Sequence, residues 1–227
     1  MTDNLKTPSD GSITSYSQQV IWAQRLQSIA QSGLAYDTRP FDKLRYEDVL
    51  EIAVEMMTVA LNAPDQRDAL RALYLEQQGH ATPKVDVRGV VFQDGKLLLV
   101  QEMLDGGRWT LPGGWADVGE SASVSAVREI WEESGYHARA TKLLAVYDRN
   151  KHGHPYFAFH AYKLFFRCEL TQPERDIDPR NIETGEVRWF AEDEIAGLAL
   201  SQARVTTSQI ARFFEHYRQP DLPTDFD

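Results

Sequence analysis

The sequence predicts an α/β protein: a layered domain in which strands and helices mix, preceded by a small helical module. Three observations predict it. Apolar residues recur at helical spacing up to about residue 80. After Thr82-Pro83 they switch to strand-like alternation. Beyond that point strands and helices interleave rather than segregate. The division that follows is a helical module over residues 1–80 and the main domain over residues 81–227.

Taken in order, Trp22, Leu26, Ile29 and Ala30 mark one face of a helix from Ser17 to Leu34. A second helix spans about Lys43 to Leu61, with Val49, Ile52, Ala53, Met56, Met57 and Ala60 on one face, and Asn62 and Pro64 end it. A third, shorter one starts at Asp65, whose carboxylate can accept backbone N–H bonds, and stops at Gly79. Val85 to Val91 alternate as a strand, Asp94-Gly95 signals a hairpin, and Lys96 to Met103 form the second arm. Further strands are predicted at Lys142 to Tyr147, Phe157 to Glu169 and Glu186 to Phe190. Helices are predicted at Ser121 to Ser134, Glu192 to Ala196 and Thr207 to Tyr217.

Forty-two percent of the 227 residues are hydrophobic and 11% aromatic, enough apolar material for a packed core. The polar segment Met1 to Ser17 has no basic-then-apolar leader, and no stretch nears the ~18 apolar residues that span a bilayer, so a cytoplasmic protein is expected. With Cys168 as the lone cysteine, there is no intrachain disulfide and no cysteine zinc cage. The formal net charge of −10 disfavours broad nucleic-acid binding, which needs basic surface to displace phosphate counterions. Residues 1–80 carry 7 Lys plus Arg against 11 Asp plus Glu. That balance suits an oligomerisation module, and a homodimer is expected rather than a DNA-reading helix.

The chemistry is concentrated between Gly114 and Tyr136. On a helix, Glu129, Glu132 and Glu133 share about one third of the circumference, while Val124, Val127, Ile130 and Trp131 lie opposite. Three carboxylates so close repel one another, and a dication removes the cost. Oxygen-only ligands suit Mg²⁺, with Mn²⁺ as a substitute. Arg128 stands four residues before Glu132 and can orient it; Glu120 can reach Arg128 from the start of the helix. Leu111-Pro112-Gly113-Gly114 allows close backbone approach, so the Gly114 carbonyl is a candidate further ligand. Gly135 is placed to end the helix.

Gly114, Glu120, Arg128-Glu129-Ile130, Glu132-Glu133 and Gly135 match the Nudix box, Gly-x5-Glu-x7-Arg-Glu-aliphatic-x-Glu-Glu-x-Gly-aliphatic, departing from it only at Tyr136. The segments Thr82 to Arg88, Trp109 to Trp115, Tyr147 to Arg149 and Glu183-Thr184 resemble a bacterial subgroup with an N-terminal helical domain, which includes CDP-choline and ADP-ribose pyrophosphatases. The resemblance implies a Nudix-type α/β/α sandwich with a mixed sheet. It also implies hydrolysis of the pyrophosphate bond in a nucleoside diphosphate linked to another group. Glu129 and Glu133 would hold Mg²⁺, and Glu132 would complete the metal shell or take the water proton. A second candidate base is Glu183, ahead of Glu186, because the family often recruits a carboxylate there. Arg88, Glu102, Trp115 and His154 are candidate substrate contacts. A nucleotide-sensing regulator and an RNA-directed nuclease or decapping enzyme are the competing readings; the first needs a basic recognition face and the second a basic channel.

Overall fold

The structure is a computed structural model, and it describes residues 18–36, 39–176 and 184–227. The chain forms two compact units. Of the described residues, those up to Pro83 and Pro155–His160 form one; those of Lys84–His154 and from Ala161 to Asp227 form the other.

The first unit holds helices α1 (Gln18–Tyr36), α2 (Pro40–Ala60) and α3 (Arg67–Leu75). Its core gathers Val20, Ala23, Ala30, Leu50, Ala53, Val54, Met57, Leu70 and Tyr74. The buried face of α1 differs from the predicted one. Small residues, Ala23 and Ala30, let the neighbouring helices close in, while Trp22 and Ile29 stay half exposed. Helix α2 begins earlier than predicted because Pro40 occupies its first position, where the missing N–H costs nothing and φ is already helical.

The alternation from Phe157 to Glu169 predicts a strand, but the structure starts it at Ala161 and carries it to Arg175. The preceding segment belongs to the helical unit. Ala158 and Phe159 are buried in that unit's core, and Phe159 packs edge-on against Tyr74 at 5.6 Å. Two side chains satisfy the segment's backbone: Tyr74 donates its hydroxyl to the Ala158 carbonyl at 3.2 Å, and Gln24 donates to the Phe157 carbonyl at 3.0 Å. Burial among helices is worth more to these aromatics than a place on a sheet.

The second unit contains β1 (Lys84–Gln93), β2 (Lys96–Glu102), β3 (Arg108–Thr110), β4 (Gly113–Trp115), α4 (Ala122–Ser134), β5 (Tyr136–Asp148), β6 (Ala161–Arg175), β7 (Thr184–Phe190), α5 (Thr207–Arg218) and β8 (Asp225–Phe226). The mixed sheet runs β3-β2-β1-β6-β5-β8, with β4 on β1 and β7 on β2. Strand β1 changes neighbours along its length. Asp86 to Arg88 pair with β4, Phe92 and Gln93 pair with β2, and β6 lies parallel along the other edge.

Side chains alternate across β1, so the sheet has two buried faces. Val87 and Val91 pack with Ala126 and Ile130 of α4, while Val90 packs with Phe165 and with Ile210 and Phe213 of α5. This is the predicted α/β layering behind a leading helical region. Helix α4 is rotated relative to the predicted face: Ser125, Ala126, Ile130 and Ser134 are buried, and Val124 is 53% exposed. Its last turn closes with Gly135 at φ 74°, whose N–H reaches the Trp131 carbonyl at 2.7 Å. The aromatic Tyr136 packs edge-on against Trp189 at 5.4 Å and accepts a hydrogen bond from that indole. Among the described residues no helix is long and apolar enough to cross a membrane.

Candidate active site

The site is built where α4 meets the turn that follows β3. Gly113 adopts φ +147°, and a Cβ there would lie 2.1 Å from the Val87 carbonyl oxygen, so only glycine lets the turn press onto β1. Its N–H donates to Glu133 Oε2 at 2.9 Å. At Gly114 a Cβ would stand 3.3 Å from the carboxylate of Glu129. The two adjacent glycines thus bring backbone up to two carboxylates one helical turn apart.

Both carboxyls are shifted. Burial raises Glu129, and Glu132 nearby adds to the rise while Arg128 and Arg88 oppose it. Burial pushes Glu133 up to about 8, against the pull of Arg88, with Glu129 and Glu102 adding repulsion. Desolvated carboxylates crowded in this way are costly to ionise and favourable to pair with a cation.

Arg128 is the hub of the exposed side. Its Nε donates to Glu120 at 3.1 Å, one Nη to Glu129 at 3.0 Å and Glu132 at 2.7 Å, and the other Nη to Asp117 at 2.7 Å. Glu120 also accepts from Ser125 Oγ at 2.9 Å, and these bonds lower its carboxyl below the ordinary value. Only a guanidinium fork can serve so many acceptors in fixed directions. Asp117 and Ser125 escape sequence reasoning because neither has a distinctive spacing.

Of the predicted substrate contacts, Arg88 and Glu102 lie near enough to Glu133 to act on its charge. Arg88 is buried, with Nε and one Nη on Asp86 and the other Nη donating to the Leu111 carbonyl at 3.2 Å. Glu102, also buried, caps the turn after β2 through the Leu104 N–H and pairs with Arg204 at 3.2 Å. Trp115 is 43% exposed on β4, opposite Asp86 in register. His154 is buried, its Nδ1 2.7 Å from the Gln202 carbonyl and its Nε2 3.1 Å from the Gln209 amide. Enclosure drives its pKa well down. Glu186 is exposed on β7, its backbone N–H donating to Gln101. Glu183 lies outside the described residues.

The donor set is all oxygen. Among the described residues no three His, Cys, Asp or Glu side chains close around one point. Two carboxylates beside a glycine backbone are an open set, which fits a hard dication that keeps waters and takes further ligands from phosphate.

The NUDIX domain family model matches residues 82–212, more than half of the chain, and the chain therefore belongs to the Nudix hydrolase family. Residues 17–67 match a second family described as a UDP-X-like, N-terminal oligomerisation domain. The chain is 40% identical over 205 residues to YjhB of Bacillus subtilis (strain 168), provisionally named an ADP-ribose pyrophosphatase; the match covers 90% of this chain and 95% of that protein. A crystal structure of UDP-X diphosphatase superposes with a TM-score of 0.57 at 30% identity, covering 94% of this chain and 100% of the other. The ADP-ribose pyrophosphatase of Streptococcus suis 89-1591 superposes with a TM-score of 0.55 at 33% identity, covering 64% and 100% respectively.

Proposed function

We propose that this hydrolase cleaves the pyrophosphate bond of a nucleoside diphosphate linked to another group, using Mg²⁺ or, in its place, Mn²⁺, with ADP-ribose and CDP-choline as the first substrates to test. The observation that carries the reading is the Gly113-Gly114 turn holding Glu133 and Glu129 as desolvated neighbours. The relatives named for ADP-ribose and UDP-X hydrolysis support the substrate class.

Glu129, Glu133 and the Gly114 carbonyl would hold the metal, which when bound neutralises the diphosphate and lowers the pKa of water. Glu132, on the open side, extends the metal shell or takes the water proton. Glu183 is the second candidate base. Arg128, anchored to Glu120, fixes Glu129 and Glu132. Trp115 offers an exposed ring for stacking on the base or sugar, at the rim of the turn. Arg88, Glu102 and His154 are buried, and of the three Arg88 and Glu102 act on the charge of Glu133.

The module over residues 1–80 serves self-association in a cytoplasmic homodimer. Trp22, Ile29 and Tyr36 recur every seven residues on the exposed side of α1, and this apolar stripe supports the assignment together with the oligomerisation family match. The decisive test incubates the full chain and Mg²⁺ with ADP-ribose, CDP-choline, UDP-linked sugars and capped RNA, and identifies the products. Release of a nucleoside monophosphate from a diphosphate-linked small molecule supports the reading; turnover confined to capped RNA, or tight ligand binding without turnover, refutes it.

A further inference from the structure

Behind the glycine turn, the structure buries charges that the hydrolytic chemistry does not require to meet substrate. Asp86 and Arg88 of β1 and Lys163 of β6 are all at most 5% exposed, and Asp86 and Lys163 are direct partners in the parallel register. One carboxylate serves two cations: Asp86 accepts from Lys163 Nζ on one oxygen and from Arg88 Nη at 2.6 Å on the other. Arg88 Nε also lies within 3.1 Å of the carboxylate, so the guanidinium is gripped along one edge. Its remaining arm then points at the Leu111 carbonyl, 3.2 Å away.

Leu111 opens the turn that reaches Gly113 and Gly114. The turn is held again by a backbone bond from Gly89 N–H to the Pro112 carbonyl at 2.8 Å. A Cβ on Gly113 would touch Arg88 Cα and Cδ at 2.8 Å, so the turn lies directly against this arginine. The Gly113 N–H is the group that holds Glu133. A continuous chain of contacts therefore runs from Lys163 through Asp86 and Arg88 to the Leu111 carbonyl, the turn, and the carboxylate.

We infer that Asp86 and Lys163 are positioning residues, which lock Arg88 so that it clamps the Leu111–Gly114 turn at the height where Gly113 and Gly114 meet Glu133 and Glu129. The inference rests on the proposed reading of those two glutamates as metal ligands. A buried carboxylate shared by two cations is an expensive way to stabilise a fold, since apolar residues of similar volume do as well or better. A directional clamp is what the ionic set supplies and apolar packing cannot. Groups that orient metal ligands from behind typically change metal affinity or activity by about 10–100-fold when removed.

The test titrates Mn²⁺ alone into the full chain by calorimetry, and follows activity against Mg²⁺ concentration, for wild type, Asp86→Asn and Arg88→Lys. Arg88→Lys keeps the pairing charge but loses the second arm. In each variant that retains the wild-type circular dichroism, Mn²⁺ binding weakens about tenfold or more, and the Mg²⁺ activation curve shifts to higher concentration. Excess Mg²⁺ restores most of the rate, a recovery that a merely loosened fold does not show. Wild-type Mn²⁺ affinity in a folded Arg88→Lys protein overturns the clamp. Failure of the wild-type chain to bind Mn²⁺ overturns the metal-site reading instead, which separates the two failures. Amide hydrogen exchange on the unmodified chain needs no variant: slow exchange at Gly113, matching Val87 to Gly89, supports the clamp, and fast exchange there beside a protected β1 overturns it.

Discussion

Raising the pH from 6 to 8 in the metal-free protein ionises Glu133, and metal binding should follow. Its carboxyl is pushed up to about 8, first by burial and then by the neighbouring Glu129 and Glu102, with Arg88 opposing. On the proposed reading Glu133 is a metal ligand and must shed its proton, so the metal competes with H⁺ at this group. With that pKa, roughly one molecule in a hundred carries the ionised form at pH 6 and roughly half at pH 8, which tightens apparent affinity by about 50-fold, or about 2 kcal/mol. The linked stability has a definite sign. A carboxyl whose folded value lies above its unfolded value stabilises the fold fully below about pH 4.5, and that contribution is lost as the pH rises through about 8. The metal-free melting temperature therefore falls between pH 6 and 9, and added Mg²⁺ restores more of it at the higher pH. Calorimetric Mg²⁺ titrations at pH 6, 7 and 8, in buffers of differing ionisation enthalpy, measure both the affinity and the protons released. A Mg²⁺ affinity that stays flat across that interval, with no proton release at pH 6, refutes the argument.

Three further outcomes are expected. Gly113→Ala places a methyl group against the Val87 carbonyl in a positive-φ conformation and costs about 2–4 kcal/mol, read by thermal or urea unfolding. Gly114→Ala meets the Glu129 carboxylate at a distance the side chain can relieve, so the fold survives while Mg²⁺ activation weakens by about tenfold, read from initial rates. Arg128→Lys cannot serve Asp117, Glu120, Glu129 and Glu132 together; kcat should drop by about 10–100-fold with little change in melting temperature, because the hub is partly exposed.

Some of this protein was legible from local pattern. The helical spacing of Glu129, Glu132 and Glu133, the position of Gly135 as a helix stop, and the pairing of Arg128 with Glu120 and Glu132 are relations between residues close in the chain, and the structure has them as read. The α/β class and the leading helices followed from periodicity, which a local window captures. Two kinds of error also have local causes. Apolar stripes marked Trp22, Ile29 and Val124 as inward, yet helix packing preferred the smaller residues beside them. Aromatic alternation drew Phe157 into a strand, although its segment joins helices distant in sequence.

What the sequence by itself determined is therefore the shared face of the three glutamates and the class of fold that carries it, because both depend on periodicities of a few residues. Only the tertiary structure decided how that helix is held. Lys163 lies 77 residues from Asp86, and only the parallel register of β1 and β6 sets them side by side. His154 carries no local mark of its burial, and its partners Gln202 and Gln209 lie 48 and 55 residues away in the chain. The physical reason is that burial and long-range register decide which charges lose water together, and that loss turns a row of ordinary glutamates into a site.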